Sequence, residues 1–348
     1  QFSDSPECLA PRFSALRREK SGIYPAAALA SNILPFMDAP HHKKTRGAIT
    51  RMFHTAALDF ESQLPVLAEK YASLAEQKTR GDIVQDLTEP YALECMCRLF
   101  GFPTADHPKL KTFTERFFYL FAPITDADMF REINLSISHF RSYIVEQLQA
   151  QKKSGECAFL VAKQALDDQA KYSISDEEVA DNILLLYADG VENIKYGIAH
   201  ALYLIGANRK DTWALTEDVQ LRRAIAETLR LESPAQIIPR IVKQKFELHG
   251  TVLKENAAVF LALGSANKDE EVFERPNTFD IDREQGKVLS FGVGQHSCVG
   301  RLFASKQIFH MVRALINVQD FRVEPKGGNM DFVPRLGHRW PSNLLFSC

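Results

Sequence analysis

No stretch of this 348-residue chain approaches the roughly 20 consecutive apolar residues that a membrane-spanning helix needs. The longest apolar runs, in "NILLLYA" and "AAVFLALG", fall far short, and the opening "QFSDSPEC" has no signal-peptide pattern. It also lacks an initial methionine, so a preceding segment stays open. Charge of one sign is missing too. Lys and Arg number 42 against 44 Asp and Glu, a net charge of −2, which leaves nucleic acid or an anionic membrane surface nothing to grip. The six cysteines (Cys8, Cys95, Cys97, Cys157, Cys298 and Cys348) keep no framework of spacings, so they read as reduced thiols of a cytoplasmic protein. Cys95 and Cys97 form a C-x-C with no second pair nearby to complete a zinc site, which makes helix packing the better reading. His41 and His42 are adjacent, a poor spacing for metal ligands. There is no internal repeat, no low-complexity tract, no flavin or nicotinamide fingerprint and no cysteine cluster for an iron–sulfur centre.

What remains is an ordinary globular composition, 45% hydrophobic and 25% charged, with 24 phenylalanines to fill a large interior. Helical periodicity dominates to about residue 232, as in "FESQLPVLAEKYASLAEQ" and "EINLSISHFRSYIVEQLQAQKK", with apolar residues at i, i+3, i+4 and charged opposite faces. The longest helix is expected to start at Ser175, where "SDEE" offers a capping box between Ser175 and Glu178, and to stop at Asn208. At ~1.5 Å per residue it would span about 45 Å, apolar on most faces and therefore buried. Midway it carries "ADGVEN", whose Asp189, Glu192 and Asn193 are polar groups in a core element and need partners or a function. After one more helix, "DVQLRRAIAETLRLES", the stretch "RIVKQKFELHGTVLKENAAVFLAL" reads as short strands and turns, and the tail reads as a terminal hairpin around Gly327 and Gly328. The fold class is mainly α with a minor β part placed late.

Residues 291–300, "FGVGQHSCVG", place one cysteine among three glycines, just ahead of a helix marked by Leu302, Phe309, Val312, Leu315 and Ile316. A buried structural cysteine would have apolar neighbours. A ligating one needs its thiolate stabilised, and a helix N-terminus favours anionic sulfur. Gly292, Gly294 and Gly300 allow the backbone close to a flat, bulky object, and Phe291 can shield the sulfur. A thiolate that holds a haem iron has these needs.

Phe291-x-x-Gly294-x-x-x-Cys298-x-Gly300 resembles the haem-binding signature of the cytochrome P-450 family at every fixed position. Other stretches resemble it in the right order. Glu227-x-x-Arg230, one helical turn apart in "ETLRLESPAQIIPR", is similar to the family's E-x-x-R pair, which is buried and ties its helix to the loop ahead of the haem segment. "FERPNTFDIDR" resembles that loop. "MDAPHHKKTRGAITRMF" resembles the D-x-P-x-H-x-x-x-R stretch, and the match would bring His42 and Arg46 to a haem propionate, joined by Arg240 and His296. The resemblance runs along the whole chain and implies the cytochrome P-450 fold as a single domain over residues 1–348. In it, haem b would lie between the long central helix and the cysteine loop, with Cys298 as axial ligand.

Two departures qualify it. The family's A-G-x-[D/E]-T is here Asp189-Gly190-Val191-Glu192-Asn193. Gly190 keeps the close approach and Glu192 the acid, but an amide replaces the alcohol that helps deliver protons. Asp189 replaces a small residue and is a candidate pocket residue for a polar or cationic substrate group. The second departure is length, since the family has more chain ahead of the segment matching Asp38. "PECLAPRFSALRR" resembles the helix and following segment midway through that region, so the first helix and opening strands are expected to be absent.

The resemblance implies a haem-thiolate monooxygenase that activates O₂ to oxidise a small apolar or aromatic molecule, with Glu192 and Asn193 handling protons. Electrons would come from an external ferredoxin-like or reductase partner docking near the cysteine loop, where Lys287, Arg301 and Lys306 are basic. One alternative is oxidative coupling, peroxide-dependent oxidation or lyase chemistry, because of Asn193; another is a haem-binding protein without catalysis. The segments "IYPAAALASNILPF", "RFFYLFAPITDADMF" and the residues after Pro234 would line an apolar pocket, and they do not name the substrate.

Overall fold

The computed structural model describes residues 8–9, 16, 18–121, 126–154, 174–208, 217–284, 286 and 288–348. In chain order the strand β1 (Cys8–Leu9) precedes helices α1 (Pro25–Asn32), α2 (His41–Phe60) and α3 (Gln63–Lys78). Strand β2 (Arg80–Asp82) leads to α4 (Glu89–Phe100), α5 (His107–Phe117), α6 (Ala127–Ser154), α7 (Asp176–Ala207) and α8 (Asp218–Leu231). Four strands come next: β3 (Ile237–Val242), β4 (Phe246–Leu248), β5 (Thr251–Leu253) and β6 (Ala258–Ala262). Helix α9 (Arg301–Ile316) and strands β7 (Arg322–Pro325) and β8 (Leu344–Ser347) end the chain.

Helix α7 organises the rest. The Glu178 amide donates to Ser175 Oγ at 3.1 Å, and the Ser175 amide donates to Glu178 Oε2 at 3.1 Å, so the capping box expected from "SDEE" is formed. Glu178 also accepts from Thr45 Oγ1 (3.1 Å) and faces His41 Nε2 (2.9 Å), which pins the start of α7 to α2. Nearly every residue from Val179 to Leu202 is buried, and α4, α5, α6, α8 and α9 pack around it. Two polar residues in its first half are satisfied. Asp181 takes a bidentate pair from Arg141 of α6 (2.6 and 3.0 Å) and a bond from Asn32 (2.8 Å). Asn182 bonds the backbone of Asn32, Leu34 and Glu178.

The sheets are small and antiparallel, ordered β1-β3-β6, β2-β8-β7 and β4-β5. The strands expected in residues 240–263 are present, with β4 and β5 joined at His249 and Gly250, both at positive φ (46° and 77°). In β3, Ile238 opposes Leu261 and Arg240 opposes Val259. The terminal hairpin differs from expectation. β7 pairs with β8 in register Val323 to Phe346, but Gly327 and Gly328 only turn the chain out of β7. The intervening residues return to the stretch just ahead of β3, bridging His338 to Ala235, and His338 lines the cavity into which Cys298 opens. In "PECLAPRFSALRR", expected to hold a helix and its following segment, Cys8–Leu9 is a strand on β3; most of the remainder, with Cys157 and Lys287, lies outside the described residues. No helix among the described residues is long and apolar enough to cross a membrane.

Candidate active site

A buried ion pair fixes the cysteine loop from behind. Glu227 and Arg230, one turn apart on α8, are both fully buried, with Arg230 Nε and Nη2 donating to the carboxylate at 2.8 and 2.7 Å. Arg283 adds a third donor to Glu227 at 3.1 Å. Burial works against the Glu227 carboxylate, but its two arginines overcome it and hold the group below the usual range. Arg230 Nη1 then reaches the carbonyls of Asn267 (2.8 Å) and Pro276 (2.7 Å), in the segment ahead of the loop. Asn267, itself fully buried, passes the constraint on: its Oδ1 accepts from Leu289 N (2.7 Å) and its Nδ2 donates to Ser290 Oγ (3.0 Å). Ser290 Oγ closes the circuit on the Leu229 carbonyl at 2.6 Å. Asn267 and Ser290 were not singled out from sequence, because their roles come from segments that meet only in the fold.

The loop then turns back on itself. Gly292 and Gly294 sit at φ 64° and 74°, where a side chain would be strained, and Cys298 N donates to the Phe291 carbonyl at 2.8 Å. Gly300 has an ordinary φ of −84° and room for a Cβ, which would meet Phe53 at 3.7 Å and Cys298 Sγ at 4.0 Å. Its amide donates to the sulfur at the start of α9. The helix terminus does not by itself make a thiolate. Burial, and after it the nearby Asp189 charge, push the Cys298 thiol up to about 11, against Gly300 N–H, Arg46 and Arg301. A bound metal ion would reverse that balance, since a coordinating thiol is deprotonated.

Cys298 opens into a cavity of about 300 Å³, at the small end of the roughly 300–1,000 Å³ usual for ligand sites. Protein encloses the residue, so the surface it exposes is surface of that cavity. Leu34, Phe118, Phe121, Leu186, Ile238 and Leu263 supply apolar wall, and Asp189, Gly190 and Asn193 of α7 line it with them. On the cysteine side, basic side chains gather. The rings of His42 and His296 lie 4.2 Å apart, and Arg46 donates to Ser297 O (2.7 Å) and Oγ (3.2 Å), beside the cysteine. Buried Arg240 bonds the Pro239 carbonyl at 2.8 Å. Burial first, then the charges of His42, Arg240 and Arg46, bring His296 down to about 3. Arg46 and Arg240, with two imidazoles able to donate hydrogen bonds beside them, fit an anionic guest.

Glu192 and Gly190 each meet partners inside the protein. Glu192 is buried but is not among the cavity-lining residues. Its Oε1 accepts from Lys195 Nζ (2.9 Å) and Thr114 Oγ1 (3.2 Å), and Lys195 also binds Glu89 (2.6 Å), which pairs with Lys111. Gly190 has a reason inside the protein: a Cβ there would lie 2.6 Å from Met96 Cε, so the glycine lets α7 and α4 approach. Asn193 does face the cavity, and its Oδ1 is buried without a hydrogen-bond partner. His338, which sequence reading missed, lines the cavity between Phe118 and Trp340, and burial takes it down to about 4.

A cysteine sulfur on the wall of a partly open cavity, basic side chains beside it and apolar walls opposite fit a haem with two carboxylates. Comparison with known proteins agrees. The family model described as Cytochrome P450 matches residues 17–338. The biotin biosynthesis cytochrome P450 of Bacillus subtilis (strain 168) is 25% identical over 301 residues, 84% of this chain and 75% of that protein. The steroid C26-monooxygenase of Mycolicibacterium smegmatis is 27% identical over 301 residues, 85% of this chain and 69% of that protein. In structure, the chain is similar to P450BioI in complex with hexadec-9Z-enoic acid ligated acyl carrier protein. The TM-score is 0.85 at 20% identity, over 97% of this chain and 85% of that one, a likeness of fold. With a family model spanning nearly the whole sequence, and its signature cysteine opening into the cavity, this chain belongs to the cytochrome P450 family of haem-thiolate monooxygenases.

Proposed function

We propose that the cavity holds haem b, with Cys298 as its axial ligand and His42, Arg46, Arg240 and His296 around its propionates. Phe291 would pack beside the sulfur, and Gly294 and Gly300 would keep side chains off the haem face. The observation that carries this reading is the Cys298 sulfur opening into a largely apolar cavity beside a cluster of basic side chains. When bound, the cofactor supplies the oxygen-activating chemistry. This chain's residues bind and orient the substrate, exclude water and handle protons. The substrate is a small apolar or aromatic molecule, since Phe118, Phe121, Leu186 and Ile238 offer mainly dispersion and desolvation. The names of the relatives, a steroid monooxygenase among them, are consistent with an apolar substrate. The whole chain works as one unit in a cytoplasmic setting, where the free Cys95, Cys97, Cys298 and Cys348 suit a reducing environment.

Electrons come from an external partner, a ferredoxin-like protein or a reductase, at the outer side of the cysteine loop. Arg301 is exposed there; Lys306 is already engaged by Glu61 at 2.5 Å, and Lys287 lies outside the described residues. The test of the cofactor reading is the absorption spectrum of the reduced holoprotein under carbon monoxide. A strongly red-shifted Soret band is expected, lost in Cys298→Ser. A band typical of histidine-ligated haem in the wild type would overturn the assignment.

One observation favours a variant outcome. Asn193 carries no hydroxyl, and Glu192 is tied to Lys195 and Thr114 away from the cavity wall, so proton supply from α7 is altered. Oxidative coupling, peroxide-dependent oxidation or lyase chemistry follow from that reading. Label from ¹⁸O₂ in the product, and its response to Asn193→Thr, separates these from ordinary oxygen insertion.

A further inference from the structure

Asp189 is a carboxyl group in the wrong company. It lines the cavity with Leu34, Leu186, Ile238 and Leu263, and has neither a hydrogen bond nor an ion pair with any described residue. The other buried acids of α7 are all matched: Asp181 holds Arg141, and Glu192 holds Lys195. Burial alone acts on Asp189 and brings its carboxyl up to about 7; no cation of the cysteine-side rim lies near enough to pull it down. A second acceptor shares its face. Asn193 comes one turn later on α7, lines the same cavity and keeps its Oδ1 without a donor. An unpaired carboxylate among apolar walls is costly; protonation removes that cost, and so does a partner that brings both positive charge and donor hydrogens.

We propose that Asp189 is the specificity-determining residue of this cavity and pairs with the protonated nitrogen of an organic cation whose remaining body is apolar. The inference rests on the reading of the cavity as a substrate site and narrows its substrate class. Asn193 accepts a second hydrogen bond from the same nitrogen or from a polar group beside it. The apolar body lies along Phe118, Phe121, Leu186 and Ile238, where dispersion and desolvation favour it. A fatty carboxylate would bring like charge to Asp189 and is disfavoured at this end of the cavity; a neutral alcohol gains a hydrogen bond without the charge pairing.

The test is calorimetric binding to the holoprotein at pH 7.5, with three probes that share one alkyl chain: N,N-dimethyldodecylamine, dodecan-1-ol and dodecanoate. The wild type is expected to bind the protonated amine about tenfold or more tighter than the alcohol, with dodecanoate weakest. Asp189→Asn and Asp189→Ala should each bring the amine to the affinity of the alcohol and leave the alcohol itself unchanged. Equal binding of amine and alcohol by the wild type overturns the proposal, whatever the variants do. So does a preference that survives both substitutions. The carbon monoxide spectrum is recorded on the same samples. Loss of the thiolate band with the amine preference intact would remove the haem reading and leave this one, whereas a normal band without the preference would do the reverse.

Discussion

Arg230 and Asp189 are both charged side chains placed in the interior on helices that touch one another, and they are treated in opposite ways. Arg230 on α8 is saturated: Glu227 takes two of its donors, and the carbonyls of Asn267, Pro276 and Thr278 take the rest. Asp189 on α7 has no partner among the described residues. A saturated buried charge holds architecture together, because removing it strands every group it served. An unsaturated one costs stability in the protein alone, and that cost is of use only where a ligand arrives to relieve it. The contrast separates the scaffold behind the cysteine loop from the reactive wall in front of it.

The strongest way to break the comparison is Arg230→Ala. It takes two of the donors from the buried Glu227 carboxylate, leaving Arg283, and removes the Arg230 bonds to the Asn267 and Pro276 carbonyls, so a loss of about 3–5 kcal/mol is expected in urea unfolding of the holoprotein. Stability near that of wild type would mean the pair is dispensable. Next comes Asn267→Ala, which removes two side-chain bonds and leaves the half-buried Leu289 amide without its acceptor. A loss of about 2 kcal/mol is expected, together with faster release of haem to an apo-globin acceptor, because the loop that carries Cys298 loses its anchor. Unchanged haem release would show that the loop is held elsewhere. The smallest effect has the opposite sign. Asp189→Asn should stabilise the protein, by about 1 kcal/mol at pH 8. The carboxyl titrates near 3.8 in the unfolded chain and near 7 in the fold, so the fold holds its proton more tightly. The contribution is therefore favourable at low pH and lost as pH rises toward 7. The gain from asparagine should be larger at pH 8 than at pH 5.5; the reverse trend would mean that Asp189 has a cation beside it.

Much of the site could be read from residues because its chemistry is local in sequence. The cysteine, its glycines and Phe291 lie within ten positions, and Gly292 and Gly294 have the positive φ that a tight loop demands. The Glu227–Arg230 pair was equally legible, since i and i+3 share a helix face. Asn267 was not: its role comes from three segments meeting at one buried amide, and nothing beside it in the chain marks that meeting. The tail illustrates the same limit. Two glycines mark a turn, but only long-range backbone pairing brings His338 back against Ala235 at the cavity wall.

The sequence by itself determined the helical character of the fold, the start of α7 through its Ser175–Glu178 capping box, and the ligand loop before α9. Each depends on residues close together along the chain. Tertiary structure decided which polar residue of α7 faces the cavity. A helix buried on nearly every side has no polar face to set its rotation, so its pattern leaves the direction of Asp189 and Glu192 open. Met96 packed against Gly190, with Lys195 and Thr114 drawn to Glu192, fixes that rotation and leaves Asp189 and Asn193 on the cavity side.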